Sequence, residues 1–334
     1  MTYSTIAGPG IEAARIEGPG AWRRADLRPE DYRVALSPAC LDEIRRAADE
    51  LREFALPTIV RLPHEFDMPA CRAAMGEVRR MVNLGVRFAI VDRLPLAELG
   101  ADAATGVYWL LSSMVARPVA QSLDGKLIYD VRDTGRQALP GSGVRPDQTN
   151  IELKFHTDNS YNGAPPDYVV LLCLNQAKRG GHSRVASFHT LHNALLAQHP
   201  ECLARLYRPF WFDRQREFHE GEPPVFSAPV FTPNGDGGNE LRARFSAHQI
   251  RGGYALKGEP VDPDGAAAMT ALLDLFDDDT LSADFDLEPG QLQFVDNRVL
   301  GHARTDFEDY PEPNRRRHLI RLWLRDSGRR AYAG

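Results

Sequence analysis

Cysteine is scarce in this chain, and its four cysteines, Cys40, Cys71, Cys173 and Cys202, form no CxxC pair. That spacing argues against a zinc ribbon or a disulfide framework and fits reduced thiols buried in a cytoplasmic protein. Positive charge is not in excess, with a formal net charge of −6 over 334 residues. A general nucleic-acid binder needs a basic face, so no nucleic-acid partner is expected. Long apolar runs are missing too. The longest kind, such as YVVLLCL at 168–174, falls far short of a membrane span, so no membrane partner is expected. The opening stretch MTYSTIAGPGIEAARIEGPG lacks a basic segment followed by an apolar one, and no secretory signal is expected there. There is no internal repeat and no clear linker. The expectation is one cytoplasmic domain over 1–334, with enough apolar residues, 43%, to fill a core without staples.

Two characters divide the chain. Residues 1–30 are rich in Gly, Pro and Ala and are expected to wrap the surface. Residues up to 117 then read as a mainly helical layer. Leu41, Ile44, Ala48, Leu51 and Phe54 recur at helical spacing behind a Ser37-Pro38 start, and Cys71, Met75, Val78 and Val82 form a stripe over 69–82. The stretch 104–117 predicts a third helix and 85–92 a strand. From 118 onward short strand patterns dominate: 126–132, 151–158, 168–174, 241–246, 291–295 and 318–324. Helical patterns intrude near 188–207 and 264–278. Many short strands with turn signals predict a sandwich or barrel. The polar stretch 133–148 is long enough to read as a lid or binding loop.

Within the strand pattern 151–158, His156 and Asp158 are two residues apart. Residues i and i+2 share a face of a strand, so an imidazole nitrogen and a carboxylate can meet one point. His302, just after the 291–295 strand pattern, offers a third ligand. Two histidines and one carboxylate on one face of an octahedron leave open positions, the arrangement of non-haem iron(II) oxygenases. The same set can hold zinc with an open position, which keeps a metal hydrolase as a rival. In the last strand pattern Arg317, Leu319, Arg321 and Trp323 share one face.

Four segments carry a resemblance: FHTD at 155–158, GGHS at 180–183, DNRVLGHARTDFEDY at 296–310 and RRRHLIRLWLR at 315–325. In this order they resemble the taurine dioxygenase/clavaminate synthase-like (TauD/TfdA) family of Fe(II)- and 2-oxoglutarate-dependent oxygenases. The resemblance spans about 118–325 and is weaker before it. It implies a mainly β fold with flanking helices, a double-stranded β-helix or distorted jelly roll, over 118–325 with inserted lid loops. It implies Fe(II), the co-substrate 2-oxoglutarate and O2, with His156, Asp158 and His302 as metal ligands. The co-substrate's distal carboxylate needs a planar, bidentate cation. By similarity this is Arg317, with Ser183 donating from its Gly-Gly turn. The implied reaction oxidises an unactivated C–H bond of a small molecule, by hydroxylation, desaturation or ring closure, with release of succinate and CO2. Asp158 stands where the family's halogenases carry a small residue, so halogenation is disfavoured.

Arg321, one strand repeat beyond Arg317, matches a position that can reach substrate and points to an anionic or amino-acid-like molecule. Asn150, Glu152, Asn159 and Tyr161 flank the first two ligands and are further substrate candidates. So is Arg214, which alternates with Phe210 and Phe212 in a stretch that either roofs the pocket or packs as a hairpin. A second metal site at His189 and His192 lacks an evident third ligand. His219 and the run Asp277–Asp279 read as solvated. A jelly-roll binding module without catalysis is the rival outside enzymology, and a homodimer or higher homo-oligomer is compatible with the sequence.

Overall fold

Ser37 opens the first long helix. Its side chain accepts the Cys40 N–H at 3.2 Å, Pro38 stands at the first turn, and the helix runs Pro38–Glu53. A second helix, Pro69–Leu84, buries Cys71, Met75, Val78, Met81 and Val82 on one face. The third begins earlier than its apolar pattern predicts, at Leu96, and ends at Val115. Gly100, at φ 72°, interrupts it and divides the pattern. In the computed structural model, the structure described comprises residues 14–54, 56–136, 145–233 and 241–334. The opening residues 1–13 and the centre of the predicted lid loop, 137–144, lie outside the described residues.

These three helices cover one face of a seven-stranded sheet. Its order is Arg33–Val34, Phe88–Val91, Leu292–Asp296, Tyr168–Asn175, His318–Arg325 and Arg117–Val119, with Tyr129–Val131 also paired to His318–Arg325. Period-two alternation decides what each face does. Tyr168, Val170, Leu172, Leu292, Phe294, Ile320, Leu322 and Leu324 join the helices in one apolar core. Gln293, Val295, Val169, Leu319, Arg321 and Trp323 fall on the opposite face. That face meets a four-stranded sheet in the order Ser282–Phe285, Ser183–Ser187, Leu300–Arg304 and Leu153–His156. Val295 and Phe88 of the large sheet share a cluster with Val185, Ala283 and Leu300 of the small one.

The small sheet has its own outer cover. Helices Phe188–Gln198, Pro200–Leu206 and Pro263–Phe276 fall where helical patterns intrude, and Phe155 stacks on Phe276 at 4.6 Å between centroids. One helix is hidden in the sequence, Ala247–Lys257. Its Gly252-Gly253 pair weakens the helical signal. That pair lets the helix lie against the hairpin Phe210–Asp213/Val225–Ala228, since a Cβ on Gly253 would overlap the Trp211 carbonyl. Among the described residues no helix is long and apolar enough to cross a membrane.

Candidate active site

The inner face of the small sheet carries the histidines. Strands Leu153–His156 and Leu300–Arg304 pair antiparallel, with His302 directly opposite His156 and ring centroids 4.4 Å apart. The chain turns after His156 and brings the Asp158 Oδ1 to 3.3 Å from His156 Nε2 and 3.5 Å from His302 Nε2. One ligand atom from each of the three lies within 4.8 Å of the others, and this is the one such cluster among the described residues. His156 Nδ1 lies 2.9 Å from the Lys154 carbonyl, which fixes the proton there and leaves Nε2 as the free lone pair.

Asp158 is held from several sides. Its amide donates to Asn297 Oδ1, and Asn297 Nδ2 donates back to the Asp158 and Pro166 carbonyls at 3.1 and 3.0 Å. Across the gap, Trp323 Nε1 donates to Asp158 Oδ2 at 2.6 Å and Arg321 Nη1 stands 3.3 Å from the same oxygen. Burial opposes charge on this carboxyl. Arg321, then the two histidines, outweigh it and hold the group well below the usual carboxylate range. Burial first, and then His156, lower His302 below its ordinary value, which favours the neutral imidazole that a metal needs.

One strand repeat from His302, Arg304 pairs across to Ser183, so both share the inner face. Ser183 Oγ donates to Gln293 Oε1 at 2.7 Å. Arg317 lies in the same region, 5% exposed, with its guanidinium over the Phe307 ring. Gly181, at φ +76°, makes room for it: a Cβ there would come within 2.9 Å of Arg317 Nε. Arg317, Ser183, Gly180, Gly181 and Leu319 line a cavity of about 330 Å³. Three buried N–H groups in this region have no partner: Arg317 Nη1, Arg304 Nη1 and Gln293 Nε2. Burial, followed by repulsion from Arg304, presses the Arg317 guanidinium down to about 9, a penalty that an adjacent anion would relieve.

A family model described as "Taurine catabolism dioxygenase TauD, TfdA family" matches residues 59–323. The chain belongs to that family. It is an iron(II)- and 2-oxoglutarate-dependent dioxygenase. FR-33289 synthase of Streptomyces rubellomurinus is 28% identical over 315 residues, covering 92% of this chain and 90% of that protein. L-asparagine oxygenase of Streptomyces coelicolor is 27% identical over 252 residues, covering 72% of this chain and 62% of that protein. The fold is similar to that of an asparagine oxygenase solved with Fe(II), hydroxyasparagine and succinate. Its TM-score is 0.65 at 22% identity, covering 88% of this chain and 94% of that one. The zinc hydrolase and the non-catalytic module find no support in these comparisons.

A larger cavity, about 560 Å³, is lined by His156, Asp158, Asn159, Tyr161, Arg321 and Trp323, among others. Of the substrate candidates, Asn159, Tyr161 and Arg321 are buried there, and Glu152 sits on the exposed rim paired with Lys154 at 2.9 Å. Asn150 is exposed and donates to the Phe307 carbonyl; it does not line this cavity. Neither does Arg214, which lies in the loop between the hairpin's two strands and pairs with Glu222 at 3.0 Å, while Phe210 and Phe212 are buried in the hairpin's packing. His189 and His192 are buried against the Leu241 carbonyl and the Tyr207 hydroxyl. Sequence reasoning passed over Arg145, Asp147, Gln293, Asn297 and Arg304. Arg304 shares the strand face of His302, a signal that alternation could have given. The others reach the site only through distant pairing.

The family's groups fit these residues. The triad presents two imidazole Nε2 atoms and a carboxylate oxygen to one point. Arg317 keeps a buried N–H without a partner, as a carboxylate anchor requires.

Proposed function

We propose that His156, Asp158 and His302 hold the iron(II) and that Arg317 and Ser183 receive the distal carboxylate of 2-oxoglutarate. The observation that carries this is the pairing of two features in one gap between sheets. The triad's ligand atoms converge, and the buried Arg317, close to Arg304 one strand repeat from His302, keeps one N–H without a partner. The fold we assign is a single-domain double-stranded β-helix over 118–325, with the helical layer outside it.

When bound, iron, 2-oxoglutarate and dioxygen supply the oxidising power for an unactivated C–H bond. The chain's residues do the rest. Lys154 fixes the His156 tautomer through its carbonyl. Trp323 and Arg321 occupy Asp158 Oδ2 and so leave Oδ1 facing the two Nε2 atoms. Trp323 and Tyr161 wall the larger cavity and limit water near the reacting carbon. Arg321, buried in that wall, is the partner for an acidic group of the substrate. The substrate class that fits is a small anionic or amino-acid-like molecule in the cytoplasm. Proteins of similar fold support it: one was solved with hydroxyasparagine and another with (3S)-hydroxy-L-arginine.

The test is a mass-spectrometric screen of small acids and amino acids with Fe(II), 2-oxoglutarate and air. The expected result is a product that gains one oxygen atom or loses two hydrogens, with matching succinate. Absence of succinate release from folded, iron-loaded protein under all conditions would contradict the reading.

A further inference from the structure

The buried charges beside the triad in the larger cavity are already matched. Arg321 Nη1 lies 3.2 Å from Asp147 Oδ2 as well as 3.3 Å from Asp158 Oδ2. Arg145, also in the lining, pairs with Glu217. A metal ion takes up the charge of Asp158. What then remains in the inner part of the cavity is two guanidinium groups, each with a carboxylate partner; Lys154, paired with Glu152, and Arg251 line the exposed rim. A molecule with several negative charges would find no spare cation in this inner part, since Arg251 stands on the exposed rim. A molecule with one acidic group and one ammonium adds no net charge to bury.

Two polar atoms complete the pattern. Asp147 is 7% exposed and lines the cavity; its Oδ2 faces Arg321, while its Oδ1 is buried with no hydrogen-bond partner. An ionised carboxylate oxygen can only accept. Asn159 is 3% exposed and lines the same cavity. The Tyr332 hydroxyl donates to its Oδ1 at 2.9 Å, which sets the amide's orientation and leaves Nδ2, a donor, buried without a partner. The wall thus offers one acceptor and one donor beside Arg321, and each is costly to bury unmatched.

We propose that Asp147 is a specificity-determining residue that accepts an N–H from the substrate's ammonium group. Asn159 Nδ2 and Arg321 take its carboxylate. The substrate class is therefore a free α-amino acid, not an N-acylated or des-amino acid. This rests on the reading of Arg321 given above.

The experiment measures succinate release and product mass for the common free L-amino acids, L-asparagine and L-arginine included. Each is run beside its N-acetyl and des-amino counterparts. Succinate release without any added substrate is measured alongside. The inference expects turnover of at least one free amino acid, with its two counterparts slower by roughly 10- to 150-fold in kcat/KM. In D147N the free amino acid should lose about that factor and the preference over the N-acetyl compound should shrink towards unity; D147E should restore part of it. A merely structural role would slow all compounds alike and leave the ratio unchanged, which would overturn the proposal. So would equal or faster turnover of a counterpart, or no turnover of any free amino acid. If substrate-free succinate release persists in that last case, only this inference fails. If it is absent as well, the dioxygenase site assignment fails with it.

Discussion

At the scale of single residues, the account assigns separable jobs to His156 and Arg317. His156→Ala removes one of three converging ligands, so the variant should fail to retain iron and should release no succinate; a stoichiometric iron content by metal analysis would contradict the triad. Arg317→Ala removes a charge-assisted anchor remote from the metal. The 2-oxoglutarate requirement should rise about 10- to 150-fold while iron binding persists, read from co-substrate titrations. His156 and Asp158 were legible as a close pair, but the strand expected over 151–158 ends at His156, and a turn, not period-two alternation, brings Asp158 to the histidines. Arg317 was legible through the family resemblance; the structure buries it, whereas its neighbour Arg316 is exposed. Asp147 and Gln293 were not. Their partners, Arg321 and Ser183, are more than a hundred positions away in sequence, and local periodicity carries no record of such pairs.

Elements place these residues, and two of them give direct tests. The turn at Gly180-Gly181 aims the chain into Ser183 and leaves space for the Arg317 side chain. Gly181→Ala adds a Cβ 2.9 Å from Arg317 Nε at a left-handed φ. It should raise the 2-oxoglutarate requirement with iron content unchanged, and an unaltered titration would detach Gly181 from the anchor. Helix Pro263–Phe276 backs the small sheet and begins at Asp262, whose carboxylate accepts the Gly265 N–H and pairs with Arg205 at 2.6 Å. The Arg205 hydrogen bond is the largest cause that lowers this carboxyl to about 2. A depressed acid contributes stability above its unfolded value, and the contribution is lost as pH falls through the folded one. Asp262→Asn should therefore melt lower than the parent at neutral pH, with the gap closing between about 4, the unfolded value, and about 2. A gap independent of pH would argue against the ion pair. Elements with strong patterns were readable: the helices Pro38–Glu53 and Pro69–Leu84 and the strands Tyr168–Asn175 and His318–Arg325 lie close to their predicted places. The helix Ala247–Lys257 was hidden by the glycines that let it pack closely.

At the scale of the molecule, the large sheet separates two tasks. One face is sealed by the N-terminal helices and supplies stability; the other meets the small sheet and carries the chemistry. Leu110, fully buried in the helical cluster, tests this division. Leu110→Ala should cost about 2–5 kcal/mol in denaturant unfolding while iron retention by the folded protein stays intact. The sequence motifs point more to the second half of this architecture than to the first, because the proposed ligands and anchors lie on or beside strands after residue 150. The N-terminal layer carries only the generic spacing of an apolar helix face. The central claim is that one site binds iron(II) and 2-oxoglutarate together. Its most direct test is anaerobic addition of Fe(II) and then 2-oxoglutarate, followed by visible absorption. The account predicts a weak metal-to-ligand charge-transfer band that needs both additions, is lost in His156→Ala, and requires more 2-oxoglutarate in Arg317→Ala. Correctly folded parent protein that gives no band with both additions would contradict it.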